Sequence, residues 1–280
     1  MSVLYVKEQG AFIQRRSERL LVTKGRQTLL EIHLDNIESI AVIGNVQITA
    51  QALCVLMERG IDVSHFSFSG RYLGATAADS SKNIFLRLAQ YDLYQDLDSR
   101  MRIARRIVAN KIKNQREMIR SHRWEFGDRD VREVLQDMDL LQTRTEGCLT
   151  SNELMGIEGR ASSIYFQLYG RMFTCRIEFH GRNRRPPKDP INVIISLGYT
   201  FLTKEVSSAL EAESFEMYLG LLYGVRYGRK SLPLDIVEEF RQPVIDRMAL
   251  KLFNKGMLQE YDFTQEEGMI TLSEDGFRKF

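Results

Sequence analysis

Cysteine is scarce in this chain. Cys54, Cys148 and Cys175 are odd in number and never stand in a CxxC spacing. Neither a disulfide framework nor a cysteine-held structural zinc is therefore indicated, and a reducing cytoplasm is the compartment that fits. Long apolar runs are missing as well. The most apolar central stretch, Ile191 to Leu202, is broken by Asn192, Ser196 and Tyr199, well short of the ~20 residues that cross a bilayer. No charged-then-apolar leader opens the chain, so no membrane partner is expected. Histidine is confined to His33, His65, His122 and His180; the first two are expected to be structural, His122 to end a helix, and His180 to touch a loop or a phosphate. No GxSxG, P-loop or Ser/His/Asp arrangement occurs, which argues against the common hydrolase and nucleotide-binding chemistries. All five prolines lie between residues 186 and 243, and no internal repeat or low-complexity tract is present.

What the chain does have is charge in blocks. The net charge is only +2 over 280 residues, enough length for one large domain or two modest ones. Residues 1 to 81 balance, Lys82 to Glu125 are strongly basic, Phe126 to Glu158 are acidic, and Arg160 to Pro190 are basic again. Local cationic stretches of this kind suit a polyanion better than the net charge suggests.

Two kinds of patterning divide the chain. Up to about residue 78, "SVLYVK", "AFIQRR", "ERLLVT", "TLLEIHL", "ESIAVIG", "DVSHFSFSG" and "RYLGAT" are short, apolar and bounded by turns, and they predict strands. One helix interrupts them, "TAQALCVLMERG", with Thr49 as its N-cap and Gly60 at its end. After a linker at Ala77 to Ser81 the pattern becomes helical, with forty residues free of proline and glycine in "FLRLAQYDLYQ…RSHRW". A helix starts at Ser231, and the tail "MITLSEDGFRKF" reads as a strand and a turn. The expectation is an α+β protein, with a β-rich domain over residues 1–78 and a mainly helical domain over 79–280.

Two carboxylate sites stand out. Glu158 lies among Gly156, Gly159, Ala161, Ser162 and Ser163, small residues that let a second helix approach closely; it can equally be a solvated acid at a packing seam. Asp235 and Glu238 share a helix face, or simply favour the positive end of a helix. If the two helices meet, the three acids make an oxygen-rich pocket for Mg²⁺ or Mn²⁺, ions that activate hydroxyls and stabilise charge on a phosphodiester. Arg182, Arg184, Arg185 and Lys188 in "GRNRRPPKDP", and Arg102, Arg105, Arg106, Lys111 and Lys113 on the long helix, are candidates for phosphate contacts or are solvated faces.

"GIEGRASSIYF", "GRNRRPPKDPINVIISLGYTFL" and "YLGLLYGVRYGRKSLPLDIVEEFRQPVIDR" closely resemble, in order and spacing, the CRISPR-associated spacer-acquisition endonucleases, the Cas1 family. "GNVQITAQAL", "SGRYLG" and "RIARRIVANKIKNQ" extend the resemblance over nearly the whole chain. It implies a β-rich dimerisation domain, a helical catalytic domain, and metal-dependent joining of prespacer DNA 3′-OH ends to repeat phosphodiesters in a homodimer that works with the small partner Cas2. It implies Glu158, Glu238 and Asp235 as the metal site, with Arg226 and Arg229 added to the DNA-binding set. Where the family has a histidine ligand this sequence has Tyr223, a poor ligand for Mg²⁺ or Mn²⁺ because a phenol ionises only near pH ~10. The alternative function is therefore a catalytically impaired DNA-binding scaffold, and a third is a nuclease selective for branched DNA. Family members continue past Met269 to Phe280, so a final helical segment is expected to be absent.

Overall fold

The computed structural model describes residues 2–76, 83–123, 128–183, 186–266 and 269–280. The chain divides into two compact units, Met1–Ser80 and Ser81–Phe280.

The first unit holds two four-stranded sheets. One orders β1 (Ser2–Val6), β5 (Ile37–Ile43), β7 (Asp62–Phe66) and β8 (Tyr72–Thr76); the other orders β4 (Gln27–His33), β3 (Arg19–Lys24), β2 (Phe12–Arg16) and β6 (Gln47–Ile48). The β1/β5 and β5/β7 pairs are parallel, and α1 (Ala50–Glu58) supplies the crossover that a parallel β5/β7 pair requires. Thr49 caps α1 by accepting the Ala52 amide, and Gly60 follows it with φ +67°, a conformation that favours glycine. Alternation explains which side chains go inside: Ile13, Leu20 and Val22 are buried while their neighbours on the strand are not. β5 is central and buried almost throughout, as a strand between two parallel or mixed partners must be. The β6 strand is only two residues long and was not evident from pattern.

The second unit is helical, so the α+β class expected from the sequence is the one observed. The proline-free stretch is two helices, α2 (Ile84–Gln95) and α3 (Leu97–Ser121). The break falls at Asp96, whose extended backbone and side chain cap α3 through the Asp98 amide. α4 (Asp128–Arg144), α5 (Ser151–Tyr169) and α6 (Pro190–Ala212) follow. α6 begins with Asp189 accepting the Asn192 amide at 2.7 Å and with Pro190 in its first turn, where its missing N–H is no loss. α7 (Ser231–Val237) runs through Glu238 into one π turn, Arg241–Asp246, and then α8 (Arg247–Asn254). β9 (Phe263–Glu266) and β10 (Met269–Leu272) pair antiparallel. The tail expected to be a strand and a turn instead ends in a short helix, α9 (Glu274–Lys279), because Ser273 caps it through the Gly276 amide.

The packing of α3 against α5 organises this unit. On α3, Met101, Ala104, Val108, Lys111, Gln115 and Met118 recur at alternating three- and four-residue intervals and are all buried. On α5 the same spacing joins Leu154, Glu158, Ala161, Tyr165 and Leu168. Each apolar stripe therefore carries one charged residue inward.

Candidate functional site

Lys111 and Glu158 meet where the two stripes face one another. The Lys111 Nζ donates to Glu158 Oε1 and, at 2.5 Å, to Glu238 Oε2. Glu238 arrives from the turn after α7 and is fully buried, while Glu158 keeps 18% of its side chain exposed. Two carboxylates from distant parts of the chain thus converge on one cation, and the cluster opens to solvent on the Glu158 side. Ser162 Oγ, one helical turn on, donates to Glu158 Oε1 at 2.8 Å and fixes its rotamer.

The other oxygen of Glu238 is held by two donors. The Tyr223 hydroxyl reaches Oε1 at 2.7 Å, and the Arg241 guanidinium lies 3.2 Å from the same atom. Burial opposes ionisation of Glu238, but Lys111 and Arg241 outweigh it and lower its pKa. Burial, followed by the Glu238 charge, pushes the Tyr223 phenol upward; it is a proton donor here and not a phenolate.

Asp235 stands apart from this pair. Its Oδ2 accepts the Leu221 amide and, at 2.9 Å, the Leu222 amide, and its Oδ1 accepts the Tyr223 amide at 3.0 Å. Burial raises its pKa, and the three amides partly offset that. The expectation that Asp235 joins Glu158 and Glu238 around an ion is therefore not what the geometry gives: the carboxylate anchors the Leu221–Tyr223 turn and so aims Tyr223 at Glu238. Gly220 makes this possible, since a Cβ there would collide with Ser231 and lie 3.2 Å from Asp235 Oδ2. Among the described residues no group of three or more His, Cys, Asp or Glu is placed to hold a metal.

The expected role of the glycines beside Glu158 also changes. A Cβ at Gly156 or Gly159 would meet nothing within 4 Å, so they do not admit a close helix; Ala161, fully buried, lies on the packed face. The close approach occurs at Gly198 of α6, where a Cβ would lie 2.6 Å from Ile245.

Behind Arg241 lies a second polar cluster. Asp246 is fully buried and accepts the hydroxyls of Tyr165 at 2.8 Å and Tyr199 at 2.7 Å, while the Tyr169 hydroxyl donates to its backbone carbonyl. Burial pushes the Asp246 carboxyl up to about 6, against the two phenols and the nearby Arg241 and Arg182. Arg241 and Arg182 both stack near the Tyr199 ring, at 4.7 and 5.5 Å from its centroid.

The candidate DNA-binding residues divide between two roles. Arg102, Arg106, Lys113, Lys188 and Arg226 are exposed. Arg105 donates to the Cys148 carbonyl at 2.9 Å, Arg182 to Asn192 and Ser196, and Arg229 to Ser231 and the Tyr223 and Gly224 carbonyls. These three brace the local backbone. Lys111, counted among the residues studding the helix, is buried instead. Arg184 and Arg185, like the linker at Ala77 to Ser81, lie outside the described residues. The histidines bond elsewhere: His33 to the Asp35 amide, His65 to Thr76, His122 to the Met118 carbonyl and His180 to Glu178. Two features escaped the sequence reading. One is the burial of Lys111 between Glu158 and Glu238, which its place on the α3 stripe would have given away; the other is Tyr227, fully exposed between Arg226 and Arg229.

The donor set suits a hard divalent cation. Mg²⁺ is commonly held by one or two carboxylates with the remaining positions filled by water, and Glu158 and Glu238 already aim at one cation. Among the described residues no helix is long and apolar enough to cross a membrane.

Residues 4–280 match the family described as CRISPR associated protein Cas1. A CRISPR-associated endonuclease Cas1 from Thermus thermophilus is 34% identical over 282 residues, spanning 100% of this chain and 82% of the relative. Among solved structures, a CAS1 protein from Thermotoga maritima is similar with a TM-score of 0.86 at 27% identity, over 99% of this chain and 86% of that one. A chain of a Cas6-RT-Cas1–Cas2 complex gives a TM-score of 0.82 at 28% identity, over 99% of this chain and 31% of the other.

Proposed function

Because the chain belongs to the Cas1 family, we propose that it is a metal-dependent DNA endonuclease and integrase of CRISPR adaptation, joining prespacer 3′-OH ends to repeat phosphodiesters. The observation that carries this reading is the convergence of Glu158 and Glu238 on a single cation from α5 and the turn after α7. In the joining step one P–O bond forms as another breaks, and a proton passes from the attacking hydroxyl to the leaving oxygen. A bound Mg²⁺ or Mn²⁺ would polarise the attacking hydroxyl and offset charge on the phosphorane-like transition state. Glu158 and Glu238 would hold it. Ser162 and Tyr223 orient the two carboxylates, Arg241 offsets part of their charge, and Asp235 fixes the turn that presents Tyr223. The exposed cations Arg102, Arg106, Lys188 and Arg226, with Arg184 and Arg185, would take the duplex phosphates.

The relative of known structure in a complex with Cas2 supports Cas2 as a partner. The strand unit supports a homodimer: β4 and β8 lie at sheet edges, and Leu29, Leu30 and Leu73 on them are exposed, leaving edges that need cover. The cytoplasm is the proposed compartment. A catalytically impaired scaffold is the second reading, favoured by one observation: both oxygens of Glu238 are already occupied, one by Lys111 and the other by Tyr223 and Arg241.

The deciding measurement is strand transfer of a labelled prespacer into a supercoiled repeat-bearing plasmid in Mn²⁺. Joined products are expected; cleavage without joining would favour a branched-DNA nuclease, and a mobility shift alone the scaffold. Glu158→Ala should lower the joining rate by ~10³-fold or more and leave duplex affinity nearly unchanged, whereas parallel loss of both would remove Glu158 from the metal site.

A further inference from the structure

Lys111 is buried to 5% side-chain exposure, and its ammonium sits at the one point toward which Glu158 and Glu238 both aim. Its helix does not call for a charge there, since the rest of the α3 stripe is apolar apart from Gln115. A lysine in such a place is held by its two ion pairs, and each carboxylate is held by the lysine. The local charges cancel: Glu158 and Glu238 contribute two negative charges, Lys111 and Arg241 two positive ones.

We propose that Lys111 is a tethered stand-in for the divalent ion, keeping Glu158 and Glu238 together while no ion is bound and withdrawing when one enters. This rests on the reading that these two carboxylates hold the ion. An ammonium and a divalent cation cannot share the same two carboxylates, because like charges a few ångströms apart in a buried site repel strongly. Of the two resident cations, only Lys111 is free to leave. Its charge is a point on a flexible four-carbon stem, whereas Arg241 stacks near the Tyr199 ring and binds the far oxygen of Glu238.

The exchange has a consequence for order of binding. Replacing one positive charge by two leaves the neutral cluster at +1, and one phosphodiester charge restores neutrality. DNA should therefore tighten ion binding, and the ion should tighten DNA binding by the same factor. Lys111 in this role is a positioning residue that sets ion affinity; it does not touch the reacting atoms.

The test is calorimetric titration of Mn²⁺ into the full chain and into Lys111→Met, Lys111→Arg and Glu158→Gln, with thermal melts of each with and without Mn²⁺. Lys111→Met should bind Mn²⁺ roughly tenfold tighter or more, melt lower than the parent without the ion, and gain more from it. Lys111→Arg, which keeps the charge but grips both carboxylates with a rigid fork, should bind the ion several-fold more weakly and covers the case in which Lys111→Met does not fold. Unchanged or weaker binding in Lys111→Met overturns the proposal, as does tighter binding in Lys111→Arg. Glu158→Gln separates the two levels. If it loses the ion while Lys111→Met gains nothing, only the role of Lys111 falls; if it binds Mn²⁺ as the parent does, the metal site itself falls and Lys111 with it.

Discussion

In the strand unit the buried polar side chains among the described residues are Ser39 and Ser64, whereas in the helical unit Lys111, Asp235, Glu238 and Asp246 lie inside. The first interior is what folding alone asks for: Ile13, Leu20, Ile40, Leu56 and Val63 from both sheets and α1 in one apolar cluster. The second carries ionised groups whose desolvation costs several kcal/mol each unless they are paired. Apolar residues of similar volume would stabilise that core at least as well, so these charges are explained by where they hold one another. Each has a partner that settles its position: Lys111 two carboxylates, Asp235 three amides, Asp246 two phenols.

Substitutions test the contrast between the two interiors. Asp235→Ala should be the most damaging change, because it strands three buried amides at about 1–3 kcal/mol each and releases Tyr223 from Glu238. Ile13→Ala in the strand unit should cost about 2–5 kcal/mol through a cavity alone. Chemical denaturation measures both, and only Asp235→Ala should also change Mn²⁺ affinity. A smaller effect is tied to pH. The Asp246 carboxyl is pushed up to about 6 from an ordinary 3.8, so the folded state keeps a proton that the unfolded chain has released. Its contribution to stability is then greatest below about pH 4 and falls by roughly 2–3 kcal/mol as pH rises through about 6. Asp246→Asn should remove that slope from denaturation curves taken between pH 4 and 7; a variant with the parental slope would mean that another group titrates. The smallest effects belong to the exposed cations. Replacing Arg226 or Lys188 by Ala should flatten the log–log salt dependence of duplex binding by about 0.9 per lost phosphate contact. Arg182→Ala should leave that slope unchanged, because its guanidinium is committed to Asn192 and Ser196.

Much of this was readable from the chain. The strands, the Thr49 cap and the start of α7 at Ser231 follow from short-range rules, apolar period and capping chemistry, and the structure has them where those rules put them. Glu158 and Glu238 were marked by their motifs, and the structure brings them within reach of one cation. The amide contacts of Asp235 were not legible, because period shows that two acids share a helix face, while nothing in the spacing shows that a turn fourteen residues upstream folds back to present its amides. The glycines beside Glu158 were misread for the opposite reason. Smallness in sequence suggests close packing, but whether anything approaches is a tertiary fact, and close contacts occur at other glycines, Gly198 and Gly220 among them. The inward direction of Lys111 was legible too, although the residue was grouped with the phosphate contacts: counted along α3, it falls on the same three-four spacing as Ala104, Val108 and Met118.

The π turn at Arg241–Asp246 also sets the phase of α8. There the Arg247 amide reaches the Gln242 carbonyl five residues back, one residue more than an ordinary helical turn spans, and Pro243 is lodged within the widened loop. Helical residues advance by about 100° each, so that surplus residue sets which way every side chain of α8 points. As it stands, Ala249, Leu250, Leu252 and Phe253 face inward while Lys251 and Asn254 are exposed. A one-residue deletion between 241 and 246, of the kind a surface loop absorbs without notice, would bring Lys251 to the inward place of Leu250 and Asn254 to that of Phe253. Length polymorphism should therefore be as poorly tolerated in this segment as loss of the carboxylates beside it.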